Sequence, residues 1–285
     1  MPTLQRYKYA ELIANLEGID RWLHQLGLDS KQDRVHFAID VLHEAEHGFQ
    51  EACAAGRAAK IGNIEEYMFG LCEALEIHDI YRAFRDEVTE RLSSTLERAL
   101  SGPHRPALEN ERNADGRNVG FELALAADLR LRGAAITLEE PDLKLTIDNH
   151  HYLLACKRPL RHSGIPACIR GATRQLREHL NNAGEQVHGV VAISVSRILN
   201  PGTYFFIRHL EVLGDRVQEL LTENKVQCQR AARDVPAICA VLFHIATPGE
   251  IDGLLVRMNF SVLFDAGVPS AAFERLARHV EPMYR

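Results

Sequence analysis

Glu122, Asp142, Lys157 and Gln175 are the residues whose types and spacing could do cation-binding or acid–base chemistry. Asp142 and Lys157 flank DLKLTIDNHHYLLACKR, which reads as a β-hairpin, its turn residues Asp148-Asn149-His150 suited to a tight reversal. Folding about Asn149 sets Asp142 opposite Cys156, within one residue of Ala155 and Lys157, at the open end of the hairpin. Side chains alternate along a strand, so Ala155 and Lys157 share one face and Cys156 takes the other. An aspartate and a lysine are left side by side at a strand edge. Glu122, Leu125, Ala126 and Leu129 follow i, i+3, i+4, i+7, so Glu122 lies on the inward stripe of a helix. A carboxylate there is costly unless it is paired, for instance with Arg117, or bound to a metal. On a later helix Ala172, Gln175, Leu176 and His179 repeat the spacing and place Gln175 beside the buried stripe.

A second arrangement is His43-Glu44-Ala45-Glu46-His47, an H-E-x-x-H string. Two histidines four apart on a helix can grip one zinc ion with Glu44 as general base, the chemistry of a zinc metalloprotease, and Glu65 or Glu66 could complete the set. Only a short helical stretch precedes it. His36, Asp40, His43 and His47 also form one polar face of an amphipathic helix, which is how a solvated face reads.

The elements that must position these residues fall into two parts. Residues up to about 100 look helical. One helix starts after an N-cap at Asp29-Ser30 and carries Val35, Ala38, Leu42, Ala45 and Phe49 at helical spacing; another runs from about Ile64 to Leu100. The stretch SGPHRP (101–106) is the boundary, since a glycine and two prolines stop a helix, giving a helical N-terminal domain (1–105) and an α/β domain (106–285). In the second, GRNVGFELALAADLRLRG is a helix capped by Gly133. Three strand-like runs follow (AAITLEE, DLKLTI, HYLLACKR), then the helix IPACIRGATRQLREHLNN and the strand HGVVAISVS. The order is α-β-β-β-α-β. A helix near 205–228, strands at 238–246 and 254–262, and a helix near 269–280 complete the chain.

With its elements in that order, FELALAADLRLRG…EEPDLKL…YLLACKRP…ATRQL resembles the PD-(D/E)xK nuclease superfamily, the restriction-endonuclease-like fold. The resemblance implies that Asp142 binds a divalent metal, that Lys157 orients or activates the attacking water, that Glu122 assists the metal, and that Gln175 lines the site. Where the family carries the acid of (D/E)xK, this chain has Ala155, and a methyl group cannot ligate a metal. Three explanations stand: an active lineage with one replaced residue, a catalytically dead relative kept for binding nucleic acid or a protein, or a migrated acid at Glu139 or Glu140. Cleavage is expected to be absent or severely weakened, and Ala155→Glu to raise it. The implied cofactor is Mg²⁺ or Mn²⁺, the implied substrate nucleic acid (DNA ahead of RNA), and the implied setting microbial restriction, defence or repair. Hydrolysis of a phosphodiester agrees with the residues. A hard cation held by carboxylates neutralises phosphate charge and activates water, and lysine adds positive charge.

The charge distribution allows this. The net charge is −6, yet residues 117–208 carry 12 Lys+Arg against 8 Asp+Glu, a balance of +4. Arg158, Arg161, Arg170, Arg174 and Arg177 follow the motif closely and could contact phosphates. The acidic helical part would serve dimerisation, docking of a protein partner or substrate selection. Six scattered cysteines without a CxxC pair argue against a zinc ribbon or disulfide framework. No apolar run approaches the roughly 20 residues of a membrane helix, and no basic-then-apolar leader follows Met1. The expected location is the cytoplasm, with no membrane partner.

Overall fold

A computed structural model describes residues 9–28, 33–56, 63–105, 108–181, 183–200, 206–207, 210–251, 254–266 and 270–280. The helical N-terminal part is built from α1 (Tyr9–Gln25), α2 (Asp33–Ala54), α3 (Ile64–Phe84) and α4 (Glu90–Leu100). The Asp29-Ser30 cap lies outside the described residues. The single helix expected over 64–100 is two, because the Thr89 side chain accepts from the Leu92 amide at 3.1 Å and starts a new helix there.

Next come α5 (Asp115–Leu131), β1 (Ala135–Leu138), β2 (Leu143–Ile147), β3 (His150–Lys157), α6 (Ile165–Leu180) and β4 (Val187–Ser194). This is the α-β-β-β-α-β order read from the sequence, and Gly133 closes α5 at φ +88°. The chain continues through α7 (Ser196–Leu199), β5 (Phe206–Ile207), α8 (Leu210–Glu223), α9 (Lys225–Asp234), β6 (Ile238–Ile251), β7 (Leu254–Asp265) and α10 (Ala271–Val280). The helix expected near 205–228 is thus divided at Asn224, whose buried amide donates to the Leu220 carbonyl at 2.8 Å.

The strands form one mixed sheet, β1-β2-β3-β4-β6-β7, with the two-residue β5 beside β6 beyond the end of β4. β1, β2 and β3 meander antiparallel, β3, β4 and β6 run parallel, and β7 returns antiparallel along β6. Alternation splits the strands between two apolar clusters. Leu143, Leu154, Cys156 and Leu242 join helices α1–α5 and α10 on one face. Ala155, Val191, Ile193 and Phe243 join α6, α8 and α9 on the other. The first cluster joins residues from both sides of the 101–106 boundary, Leu100 and earlier with Val119 and later, so the N-terminal helices roof the sheet.

Buried charges bolt that roof down. Arg34 donates to Glu73 at 2.6 Å, to Glu76 at 2.7 Å and to the Ala99 carbonyl at 2.8 Å. Burial works against its charge, but Glu73 and Glu76 outweigh it and hold the guanidinium above its ordinary pKa. Arg117 on α5 reaches Glu73 at 2.5 Å and the carbonyls of Pro103 and His104. Where α4 meets α5 the backbones touch: a Cβ on Gly116 would lie 2.5 Å from the Gly102 nitrogen. No described helix is long and apolar enough to cross a membrane.

Candidate functional site

The β2–β3 hairpin closes through two residues, Asp148 (φ 48°) and Asn149 (φ 63°), with Ile147 paired to His150. Both lie in the left-handed region that a two-residue hairpin loop of this twist demands, and Asp and Asn tolerate it. Reversal about Asn149 alone is therefore corrected by one residue. Leu143 pairs with Leu154, and one further step sets Asp142 opposite Ala155, on the face that also carries Lys157.

Asp142 enters β2 just after the cis Glu140–Pro141 peptide, and Lys157 is the last residue of β3, so both sit at the same end of the sheet. The Cys156 amide donates to Asp142 Oδ2 at 2.6 Å. Gln175 from α6 donates to Asp142 Oδ1 and to the Pro141 carbonyl, each at 3.0 Å, while its own carbonyl oxygen accepts from Lys157 Nζ at 2.6 Å. Lys157 Nζ stands 3.7 Å from Asp142 Oδ2. Burial raises the Asp142 pKa, though Lys157 and the two hydrogen-bond donors oppose it.

Glu122 reaches the same place from α5. Its carboxyl is half-buried, and burial, then the neighbouring Asp142, push its pKa up to about 7 against the pull of Lys157. The Arg117 partner considered from sequence is engaged by Glu73 instead. Cys156 turns away into the core, and burial, then Asp142 and Glu122, raise its thiol pKa. Ala155 is wholly buried among the apolar side chains under α6.

The other candidates separate from this group. Glu139 is held by Thr137 at 2.8 Å and Lys144 at 3.2 Å, and Glu140 stands 3.7 Å from Arg91, so neither joins the Asp142 hydrogen bonds. Among the described residues no three His, Cys, Asp or Glu side chains gather as a metal cluster. His43 and His47 lie on the solvent side of α2, where His47 stands 3.8 Å from Glu51.

The arginine series is corrected in two ways. Arg158 does not face solvent: it is buried against the equally buried Glu109, and burial lowers its pKa to about 10. Arg161 is exposed, 3.3 Å from Glu111. Arg170, Arg174 and Arg177 occupy the flank of α6 opposite Gln175 and line a groove shared with α9. From sequence they sat beside the Asp142 site; helical geometry puts about half a turn between the two flanks.

Four histidines of the sheet have polar partners. His150 Nδ1 and His188 Nε2 are 3.3 Å apart across β3 and β4, and His151 meets the Thr146 hydroxyl at 3.1 Å. His244 reaches the Ser261 hydroxyl at 2.8 Å and stacks on Phe121. Arg230 and Gln227 on α9, which complete the arginine groove, went unread; the only sequence signal was their i, i+3 spacing. No family model, curated protein or solved structure matches the chain.

Proposed function

We propose that the chain is a metal-dependent nuclease of the PD-(D/E)xK type, hydrolysing phosphodiesters of nucleic acid slowly because position 155 bears a methyl group. One observation carries the reading. Gln175 hydrogen-bonds both Asp142 and Lys157 at the end of β2 and β3, the two charged groups stand 3.7 Å apart, and the half-buried Glu122 carboxyl lies beside them.

The donors suit Mg²⁺ or Mn²⁺. Magnesium is commonly held by one or two carboxylates with substrate phosphates supplying further oxygens, and Asp142 and Glu122 offer two. Glu122 has no hydrogen-bond partner among the described residues, and its ionised form is disfavoured where it sits. An adjacent cation would relieve that cost. Held there, the ion would neutralise phosphate charge and lower the pKa of a bound water. Gln175 fixes both neighbours, accepting from Lys157 and donating to Asp142, so that the ammonium stays at the mouth of the site. There it can hold a water for attack and offset charge growing on the phosphate oxygens. Ala155 supplies no ligand.

The test compares the chain with Ala155→Glu on labelled single-stranded DNA, duplex DNA and RNA, in Mg²⁺, Mn²⁺ or EDTA. Cleavage should be metal-dependent, at least tenfold faster in Ala155→Glu, and abolished in both backgrounds by Asp142→Asn or Lys157→Ala. An inert Ala155→Glu protein in both metals refutes the reading. The second reading, a catalytically silent scaffold that binds nucleic acid or a protein, is favoured by the complete burial of Ala155 among apolar neighbours. Binding without cleavage in both forms would select it.

A further inference from the structure

The groove between α6 and α9 has a volume of about 190 Å³ and is lined by Arg170, Arg174 and Arg177 from one wall and Arg230 from the other, with Gln227 and Thr173 between them. All four guanidiniums belong to exposed residues. Several exposed arginines elsewhere are ion-paired: Arg85 with Asp86, Arg98 with Asp115, Arg161 with Glu111 and Arg216 with Glu219. Here Arg170 and Arg174 have no ion-pair partner among the described residues. Among the described residues the only acid lining the groove is Asp234, whose carboxylate lies 3.6 Å from Arg230 and whose carbonyl accepts from Arg177 at 3.4 Å. On a chain of net charge −6, four arginines facing one another across a groove form a local positive field that favours an anionic ligand.

The row has a length and a chemistry. Residues 170 to 177 span about 10 Å of helix at 1.5 Å per residue, a row long enough to meet more than one phosphate of a strand. Guanidinium groups pair bidentately with phosphate oxygens, and Gln227 adds a neutral donor. The core stripe of α6 (Ile165, Ile169, Leu176) lies between this flank and the one bearing Gln175.

We infer that the α6–α9 groove is a binding site for the phosphodiester backbone of nucleic acid, separate from the Asp142–Lys157 site. It deepens the nuclease reading by naming where the substrate backbone is held at a distance from the hydrolytic residues, and rests on that reading only for the link to cleavage. Ligand binding itself can be tested alone.

The experiment uses the full chain in EDTA, so that no strand is cut, and follows anisotropy of labelled 20-mers of single-stranded DNA, duplex DNA and RNA from 50 to 300 mM salt. The groove variant is Arg174→Gln/Arg177→Gln/Arg230→Gln. The charge-matched control, Arg85→Gln/Arg98→Gln/Arg216→Gln, removes three exposed arginines elsewhere. Wild type and control should bind at least one of the three ligands alike. The groove variant should bind at least tenfold more weakly, with a log–log salt slope shallower by about 2 to 3, since each phosphate contact contributes about 0.7 to 0.9. Equal losses in groove and control variants would overturn the site, as would no binding by wild type at 50 mM salt. Circular dichroism and a urea midpoint check that each variant is folded. Binding is read in EDTA and cleavage separately in Mg²⁺ or Mn²⁺, so failure of the hydrolytic reading and failure of the groove give different results.

Discussion

Glu122→Gln tests the site without any assumption about substrate. The Glu122 carboxyl has an ordinary pKa of 4.5 and is pushed up to about 7 in the folded chain. An acid raised on folding binds more protons in the native than in the unfolded state between those two values, so its contribution is most favourable below pH 4.5 and is lost as pH climbs through 7. At about 1.4 kcal/mol per pH unit, that loss approaches about 3 kcal/mol, with solvent at the rim of the site trimming it. Glutamine keeps the size of the side chain and removes the ionisation. Urea unfolding of both proteins, measured at intervals from pH 5 to pH 8, should therefore show Glu122→Gln gaining on wild type by roughly 2 to 3 kcal/mol. Subtraction removes the opposite trend of His78, whose pKa burial lowers to about 4. Adding 5 mM Mn²⁺ should flatten the wild-type curve at high pH and leave the variant less affected, since an ion that binds only the native state stabilises it in proportion to occupancy. A constant difference between the two proteins across this range would refute the buried-carboxylate account, and with it the claim that this corner of the sheet is built to receive positive charge.

Three further outcomes are expected. Ala155→Glu buries a carboxylate in an apolar cluster, so its melting temperature should fall in EDTA and recover in Mn²⁺ by more than wild type gains; differential scanning fluorimetry reads both. Arg34→Met removes a buried guanidinium from Glu73 and Glu76, costing about 3 kcal/mol or more by urea titration, as breaking a buried ion pair does. Asn149→Val forces a β-branched residue to φ 63° and should cost about 1–2 kcal/mol, whereas Asn149→Gly should lie within a few tenths of wild type.

What the sequence revealed was local. The α-β-β-β-α-β order is written in alternation, in 3.6-residue spacing and in Gly133, and the meeting of Asp142, Lys157 and Gln175 follows from strand ends and one helix stripe. What it concealed depends on single-residue or long-range geometry. The hairpin register shifted by one because Asp148 and Asn149 both adopt positive φ. The break before α4 hinges on one threonine cap. Arg34 and Glu73, 39 positions apart, give no sign of each other along the chain, and neither do Arg158 and Glu109, 49 apart. The far side of the arginine groove needed α9 folded back against α6 before Arg230 could be counted with Arg170, Arg174 and Arg177.

The roof of N-terminal helices sets the order in which the chain can mature on a ribosome. Leu12, Leu16, Leu42 and Leu92 are finished early, yet they share a cluster with Ala240, Leu242, Leu276 and Val280. Until those last strands and the closing helix emerge, the helices have no complete surface to cover. Nascent chains halted before about residue 240 should hold that apolar stripe open to chaperones and proteases, and release of the full chain should shut it in a single step.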